Sequence, residues 1–349
     1  MLHLIHAIIR ALRCLRGALL LLEYWGYLRL KPFSWRGRPS IRVSDDVTIV
    51  CITLGTETNY HDVVYRWLAC GPKEVIIVTI DARLPQISRL ADRIGDPRVL
   101  VHSVPKPSAR RQYYEGVRRV RTPYFVIADD RSLWSGGTLA RIVHPLHDPG
   151  IGGATGLQIV GPAIQAGLTA WERFGSLNLV RRNIMHSALA YFNRGQVLNL
   201  SGRLSALRTS VFQNDEFYDF FLNEKWLGNP VTTGDDNAFT VWCVRHGWRT
   251  WFETSDEVLL VAKVSPSSLY LKQLLRWQRD TIRCYVADLV FSVKKCNARH
   301  LLRAVLNLLV YYITDAATLL EMLFLLAVGV GWLRDRHVSP LQYECLNPF

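Results

Sequence analysis

The sequence lacks the patterns that mark a disulfide scaffold or a cysteine-ligated zinc site. Its 349 residues include seven cysteines, an odd number that is widely scattered and contains no Cys-x-x-Cys pair. This distribution excludes a disulfide framework and favours a reducing compartment. The chain also has neither a Gly-x-Gly-x-x-Gly loop nor a Walker glycine loop. The common dinucleotide-binding and P-loop classes would therefore be without their phosphate cradle.

Net positive charge is concentrated in two segments, and the rest of the chain is neutral. Charged residues make up 20% of the sequence and hydrophobic ones 49%, which excludes a disordered protein. The net charge of +13 arises in two segments, because residues 1–44 hold eight Lys/Arg and one acid, and residues 270–303 hold eight and two. Each segment adjoins apolar sequence, as on the cytoplasmic side of membrane proteins. A nucleic-acid-binding protein usually carries its bases across the folded domain, so nucleic acid is not an expected partner.

The two termini are the candidates for membrane association. Leu301–Leu333 is almost wholly apolar and is interrupted by Arg303, Asp315 and Glu321. It is long enough for one bilayer span or for two short re-entrant or interfacial segments. A buried helical hairpin of a soluble protein is the alternative. The apolar run Gly17–Leu22 is too short to span, so an amphipathic helix in the membrane plane is the better prediction there.

Short β-rich apolar runs alternate with helix-compatible stretches between residues 46 and 128. This alternation predicts βαβ units, and hence an α/β fold with a largely parallel sheet. In such sheets ligands lie at the carboxyl ends of the strands, which is where polar residues cluster in this sequence. The predicted strands are Val47–Ile52, Val75–Ile80, Val99–Val104 and Tyr124–Ala128, the predicted helices are Tyr60–Cys70, Leu84–Ile94 and Ala109–Val120, and the polar residues after the strands are Thr53, Glu57, Asp81, Lys106, Asp129 and Asp130.

Two pairs of adjacent acids are candidate functional groups. Asp129 and Asp130 follow the fourth predicted strand, and adjacent carboxylates at a strand end can bind a divalent cation that neutralises a diphosphate. A solvated turn would look the same in sequence. Asp235 and Asp236 follow Gly234 and precede a helix-like stretch. Acids are favoured at a helix N-terminus by capping and by the helix dipole alone, so a purely structural role is the alternative.

The stretch Gln273-Leu-Leu-Arg276-Trp277 is a more specific signal. Its spacing of i, i+3 and i+4 puts an amide, a guanidinium and an indole on one helical face. Such a face can bind a phosphate through Arg and stack a sugar ring on Trp. An ordinary amphipathic helix next to a membrane is the alternative. Arg110 and Arg203 add cations that either contact a diphosphate or serve as surface bases.

In this order, the motifs resemble those of processive family 2 glycosyltransferases, whose members include hyaluronan, cellulose and chitin synthases. The nearer resemblance is to the fungal polysaccharide synthase group, often called type 2 glycosyltransferases. The resemblance covers roughly residues 45–290. The C-terminal tail matches the family only in its apolar, membrane-like character. The residues that carry it are Lys73–Thr79, Asp81, Ala128–Trp134 with its Asp129-Asp130 pair, Ser201-Gly202-Arg203, Gly234-Asp235-Asp236 and Gln273–Trp277.

The resemblance implies a GT-A fold, which is a Rossmann-like, mostly parallel sheet with flanking helices, together with membrane-associated helices at the termini. It implies a basic membrane-associated segment and linker at 1–44, a cytosolic catalytic domain at 45–292 and membrane segments with a tail at 293–349. The implied reaction is inverting transfer from a nucleotide sugar, usually a UDP-sugar, to a polysaccharide or glycan acceptor. The implied location is a lipid bilayer with the domain facing the cytosol. One or two membrane spans per copy would not enclose a translocation path for the product. A homo-oligomer is therefore a possible arrangement.

The resemblance also assigns roles by position. Asp236, with Asp235 beside it, would be the general base that takes the proton of the acceptor hydroxyl. Asp129 and Asp130 would bind Mg²⁺ or Mn²⁺, and Trp277 would contact the acceptor. The residues implied to bind the nucleotide sugar are Thr53, Glu57, Asp81, Lys106, Arg110, Asp129, Arg203, Gln273 and Arg276.

Arg131 departs from the family pattern, because the family usually has an aspartate that helps to bind metal at this position. A guanidinium cannot ligate a cation. Either Asp130 takes over, or metal binding is weakened, or Arg131 partly replaces the charge of the metal. This departure motivates a second hypothesis, in which the chain is a catalytically impaired homologue that serves as a partner of an active synthase.

Overall fold

The computed structural model describes residues 2–37, 41–55, 59–160, 167–197 and 199–295, and the single residues 301, 304, 305 and 322. Glu57 and most of Leu301–Leu333 lie outside the described residues, so their predicted roles stay predictions. Within the described ranges, no helix combines the length and the apolar character needed to cross a bilayer. The chain divides into two compact units, Glu23–Asp288 and a second made of Met1–Leu22 and Leu289–Phe349.

The larger unit is built on a seven-stranded sheet with helices on both faces. In chain order the strands are β1 Val47–Ile52, β2 Glu74–Ile80, β3 Val99–Val104, β4 Tyr124–Asp129, β5 Ile151–Gly156, β6 Gln158–Val160, β7 Leu204–Arg208, β8 Lys225–Trp226, β9 Asn229–Pro230, β10 Arg249–Glu253 and β11 Leu260–Ala262. The helices are α1 Leu2–Arg29, α2 Val43–Asp46, α3 Tyr60–Ala69, α4 Leu84–Ile94, α5 Ala109–Val117, α6 Thr138–Val143, α7 Ala170–Phe192, α8 Thr209–Phe212, α9 Asp215–Asn223, α10 Asp235–Arg245 and α11 Leu269–Lys294.

The strand order of the main sheet is β10-β5-β7-β4-β1-β2-β3. All neighbouring pairs are parallel except those of β7, which runs antiparallel to both β4 and β5. The described residues also form two two-stranded sheets, β6 with β11 and β8 with β9. The predicted α/β class and mostly parallel sheet are therefore confirmed.

The central strands are apolar on both faces because each face packs under its own layer of helices. On β1, Ile49 contributes to one hydrophobic cluster and Val50 to the other. The alternation repeats on β4, where Val126 and Ile127 enter opposite clusters. Continuous apolar runs of this kind are typical of parallel strands buried on both sides. Gly116 of α5 allows a close approach, since a Cβ there would lie 2.6 Å from Val50 Cγ1.

The four strands and three helices predicted between residues 46 and 128 are confirmed, with shifts of a few residues at their ends. The largest shift is at α5, which ends at Val117 rather than Val120. Beyond Val117 the last turn tightens, because the backbone N–H groups of Arg119 and Val120 donate to the carbonyls of Gly116 and Val117, three residues back. The expected N-terminal helix is present as α1, and its association with a membrane stays a prediction.

Candidate functional site

The first acidic pair lies where β1 and β4 end side by side. Ile52 is paired with Asp129 in the parallel ladder, so the residues that follow, Thr53 and Asp130, are neighbours. The Thr53 hydroxyl donates a hydrogen bond of 2.6 Å to Asp130 Oδ2. Asp129 Oδ1 accepts one from the Arg131 backbone N–H. The carboxylates predicted from the strand ends are thus brought together at the carboxyl edge of the sheet.

This pair suits a divalent cation by its donor chemistry. Burial and the adjacent Asp129 together raise the pKa of Asp130 to about 7, against the opposing effects of the Thr53 hydrogen bond and the Arg131 charge. A bound cation would relieve that repulsion. The nearest atoms of the Arg131 guanidinium and Asp130 are 3.8 Å apart, which compensates the charge only in part. Within the described residues no group of three or more His, Cys, Asp and Glu side chains could bind a metal. Mg²⁺ commonly uses one or two carboxylates and completes its shell with phosphates and water.

The second acidic pair forms the first turn of α10. Gly234 precedes it with φ of 70°, a left-handed conformation that glycine adopts without strain. Two donors contact the Asp236 carboxylate, since Asn199 Nδ2 lies 3.2 Å from Oδ2 and the Asn237 backbone N–H lies 2.8 Å from Oδ1. Hydrogen bonds of this kind favour the ionised form that a base needs. The structure therefore places Asp236 in a fixed orientation at a helix N-terminus.

Burial also raises the pKa of both carboxyls in this second pair. The pKa of Asp235 rises to about 7 because the side chain is desolvated and because Asp236 is adjacent. The pKa of Asp236 rises through burial as well, and the hydrogen bonds from Asn237 and Asn199 limit the rise. Two neighbouring carboxyls whose pKa values are both raised by burial are suited to proton transfer.

Arg203 connects the two acidic pairs with Trp277. It immediately precedes β7, whose Leu204 is paired with Ala128, so the antiparallel register puts Arg203 across from Asp129. Its guanidinium carbon lies 5.1 Å from the centre of the Trp277 ring, a cation–π contact. Burial lowers the pKa of Arg203, and the charges of Asp129 and Asp236 oppose that change. One cation is therefore shared by three motifs that lie far apart in sequence.

The segment Ser201-Gly202-Arg203 also forms the wall between the acids and α5. A Cβ at Gly202 would lie 3.6 Å from Asp235 Oδ2 and 3.9 Å from the Tyr113 hydroxyl. The buried amide of Gln158 fixes this segment, because its Nε2 donates to Ser201 Oγ at 2.7 Å and its Oε1 accepts from Arg203 Nη1 at 3.2 Å. The guanidinium is thus oriented by an amide on one side and an indole on the other.

The remaining predicted site residues lie in several environments. Asp81 is exposed at the end of β2, where its Oδ1 accepts a 2.6 Å hydrogen bond from Ser103. Lys106 is exposed after β3. Gln273 and Trp277 are half-buried on α11, and Arg276 is exposed on the same helix with Nη1 3.9 Å from Asp280 Oδ2.

Arg110 is the predicted diphosphate contact that requires correction. Its side chain is buried, and its guanidinium donates to Phe221 O at 2.8 Å and to Glu224 Oε2 at 2.6 Å. Because its donors are occupied by acceptors of the protein, we assign it a role in holding the backbone rather than in contacting ligand. A basic residue at the start of a helix looks the same in sequence whether it points outward or inward.

Four residues at or beside the site were not anticipated from the sequence, namely Gln158, Asn199, Glu224 and Asp280. Asn199 lies two residues before the Ser201-Gly202-Arg203 motif, and this proximity is its one signal in the sequence. Gln158, Glu224 and Asp280 belong to no recognisable pattern, and their partners are distant in sequence.

Comparison with known families assigns the chain. Residues 45–280 match the family model described as "Glycosyltransferase like family 2". The chain belongs to this glycosyltransferase family. The predicted membership of glycosyltransferase family 2 is thereby confirmed. The match begins at residue 45, where the sequence analysis begins the catalytic domain.

Individual relatives agree with this assignment. Over 75% of its length the chain is 31% identical to a type 2 glycosyltransferase of Gibberella zeae, and over 77% it is 30% identical to one of Pyricularia oryzae. It spans about half the length of these two relatives, 49% and 55% respectively. Among solved structures, it resembles a mannosyltransferase from Pyrobaculum calidifontis in complex with GDP-Man and Mn²⁺. The TM-score is 0.64 at 19% identity, with 94% of this chain and 92% of the other covered, which supports the GT-A fold.

Proposed function

We propose that this family 2 glycosyltransferase transfers a sugar, with inversion, from a nucleotide sugar to a glycan or growing polysaccharide. The donor is a UDP-sugar in this proposal. The observation that carries it is the position of Arg203, which contacts Trp277, lies across from Asp129 in the strand register and is near enough to Asp236 for that charge to raise its proton affinity. Such a site combines a cation for a diphosphate, a base for an acceptor hydroxyl and an aromatic surface for a sugar ring.

In the proposed reaction the acceptor hydroxyl oxygen attacks the anomeric carbon while Asp236 takes its proton. The bond from that carbon to the β-phosphate oxygen breaks on the opposite face, and the electron pair leaves with the nucleoside diphosphate. Arg203 would stabilise the charge that develops on the leaving group. Thr53, Asp81 and Lys106 line the strand ends where the nucleotide would bind, and Gln273, Arg276 and Trp277 would cover the diphosphate and the acceptor.

Asp129 and Asp130 would bind the Mg²⁺ or Mn²⁺ ion of the proposed enzyme. Such an ion supplies positive charge that stabilises the departing diphosphate. Arg131 supplies part of this charge from the protein itself, because its guanidinium lies beside the Asp130 carboxylate.

We expect Arg131→Asp to make the reaction more dependent on metal. The change removes a cation and adds a potential ligand, so the rate without added Mn²⁺ should fall about tenfold relative to the rate with it. Nucleoside diphosphate release measured over a Mn²⁺ titration checks this, with Arg131→Gln as the matched variant that removes the charge without adding a ligand. An unchanged Mn²⁺ response in Arg131→Asp would remove this account of the position.

We also propose that the protein works at a membrane with its catalytic domain facing the cytosol, where nucleotide sugars are made. The basic charge of residues 1–44 supports this. So do the apolar side chains that α1 exposes, such as Leu21 at 73% and Trp25 at 48%. Apolar residues and bases on one helix are typical of attachment to an anionic lipid surface. A homo-oligomer is a further part of the proposal.

The test is donor-dependent release of nucleoside diphosphate. The full chain, purified in detergent, is supplied with a panel of UDP-sugars and GDP-mannose, with Mn²⁺ or with a chelator. We expect release with one UDP-sugar and a higher rate with Mn²⁺. Release with GDP-mannose alone would replace the UDP assignment. No release with any donor, from protein that still unfolds cooperatively, would favour the alternative in which Arg131 marks an impaired homologue that partners an active synthase.

The pH profile provides a separate prediction for Asp235 and Asp236. Burial raises the pKa of both carboxyls, so the base Asp236 is lost by protonation at a higher pH than an exposed aspartate would be. We therefore expect kcat/KM for the donor to decline as the pH falls through the raised pKa of the pair and to level off above it, at saturating Mn²⁺. Removing the neighbouring charge in Asp235→Asn should shift this decline to lower pH. A profile that stays flat down to about pH 5 would contradict the assignment.

A further inference from the structure

Two buried arginines share one carboxylate behind the candidate site. Arg110 of α5 and Arg283 of α11 are both buried, and each forms an ion pair with Glu224, at 2.6 Å to Oε2 and 2.8 Å to Oε1. Glu224 follows α9 directly, so the three charges join three separate parts of the fold. Buried charges are costly unless they are paired and hydrogen-bonded, and this cluster is therefore a specific arrangement and not a solvated surface group.

Both arginines also bind the backbone that leads into the catalytic pair. Arg110 Nε and Arg283 Nη2 donate to the Thr233 carbonyl at 3.2 and 3.4 Å, and Arg110 Nη2 donates to the Gly234 carbonyl at 3.4 Å. These carbonyls belong to the two residues that immediately precede Asp235. The peptide groups before the acids are thus fixed from two sides by side chains of α5 and α11.

A fourth charge extends the cluster towards Gln273–Trp277, which we call the lid because its side chains would cover the diphosphate and the acceptor. The Thr233 hydroxyl donates to Asp280 Oδ1 at 2.8 Å, and Arg276 Nη1 lies 3.9 Å from Asp280 Oδ2. Asp280 is itself buried on α11, one helical turn after Arg276 and Trp277. We refer to Arg110, Glu224, Asp280 and Arg283 as the buried charge network.

The turn at Gly234 lies so close to α11 that a side chain there would displace the Arg283 guanidinium. A Cβ on Gly234 would lie 2.6 Å from Arg283 Nη2 and 3.3 Å from Asp280 Cγ. The glycine of the motif is therefore required by this contact as well as by its left-handed backbone. A shift of α11 along the turn would break several of these hydrogen bonds at once.

We infer that the buried charge network and Thr233 are positioning residues, which keep α11 with Arg276 and Trp277 in a fixed register with the Asp235–Asp236 turn. The inference rests on the proposed function in one respect, since Asp236 is the base whose position matters. None of these residues needs to touch the substrate. Their effect on catalysis comes from the distance between the base and the acceptor face of the lid.

Hydrogen exchange tests the mechanical coupling without any turnover. The exchange of peptides covering residues 233–245 and 269–288 is compared in wild type, Thr233→Val and Thr233→Ser. We expect Thr233→Val to speed exchange about fivefold in both peptides, because loss of one hydrogen bond releases the turn and the helix together. Thr233→Ser keeps the hydroxyl and should restore the wild-type rates. Faster exchange in only one of the two peptides would overturn the coupling.

Kinetics then test the consequence for catalysis. Thr233→Val and Asp280→Ala, each of which removes the hydrogen bond between the two residues, should each lower kcat about tenfold while changing the donor KM less than about twofold. Because the two residues act through one hydrogen bond, the double variant should lose little more than the worse single one. If kcat of the double variant falls by the product of the two single-variant factors, the two residues do not share one role. Asp96→Asn, which breaks the 2.7 Å ion pair with Arg98 before β3, is the matched control at the opposite edge of the sheet and should retain kcat.

The two experiments also separate this inference from the proposed function. If wild type releases no nucleoside diphosphate with any donor, the proposed function fails, and the exchange comparison alone decides whether the turn and α11 are coupled. If wild type is active and Thr233→Val changes neither exchange nor kcat, the proposed function stands and the positioning role is wrong.

Discussion

Asp236→Asn should lower kcat about a thousandfold, with little change in the KM for the nucleotide sugar. The amide is the same size and still fits the 3.2 Å contact with Asn199, but it cannot accept the proton of the acceptor hydroxyl. A positioned general base contributes roughly 10²- to 10⁴-fold, so the loss should fall in that range. The measurement is nucleoside diphosphate release under saturating donor, acceptor and Mn²⁺.

Asp235→Asn is the matched control, because it alters the adjacent residue in the same helical turn. We expect a smaller loss of about tenfold, since Asp235 affects the proton affinity of Asp236 and does not take the proton itself. The reverse order of the two effects would assign the base to Asp235. Equal rates in wild type and Asp236→Asn would refute a base at this turn.

Glu224→Gln should produce the largest loss of stability. The neutral amide leaves the guanidinium groups of Arg110 and Arg283 without the anion they share, and their side chains are only 2% and 8% exposed. Removing one partner of a buried ion pair costs about 3–5 kcal/mol of unfolding free energy. For a domain of this size we expect the melting temperature to fall by roughly 10 °C.

Glu216→Gln is the matched control for this prediction. Glu216 also lies near a cationic partner, with its carboxylate 3.8 Å from His246 Nε2, but its side chain is 80% exposed. Exposed pairs contribute little, so its melting temperature should stay within about 2 °C of wild type. If the melting temperature of Glu224→Gln equals that of this control, Glu224 does not balance the charges of the two arginines.

The sequence was most informative where each signal is local. The strands between residues 46 and 128 follow from apolar runs, and the helices between them follow from spacing. The polar residues at the strand ends could be placed at one edge of the sheet because parallel strands share that edge. For this reason the sequence could predict that Thr53 and Asp130 lie close together, and the hydrogen bond between them confirms that prediction.

The rest depends on contacts between residues that are distant in the chain. Gln158 and Arg203 are 45 positions apart, and Arg110 and Glu224 are 114 apart. No periodicity links such pairs, because tertiary packing alone decides that they meet. Arg110 illustrates the limit. A basic residue in a helix is usually solvated, and only the three-dimensional arrangement of carbonyl and carboxylate acceptors reveals that this one is buried.

The reversed direction of β7 makes the location of Arg203 sensitive to length changes. An antiparallel strand delivers its first residues to the edge where its parallel neighbours deliver their last, so the basic side chain meets Asp129 by alignment alone. Adding or deleting one residue there would turn every following side chain to the opposite face. Changes to the site are therefore best made as substitutions that leave the spacing from Ser201 to Leu204 intact.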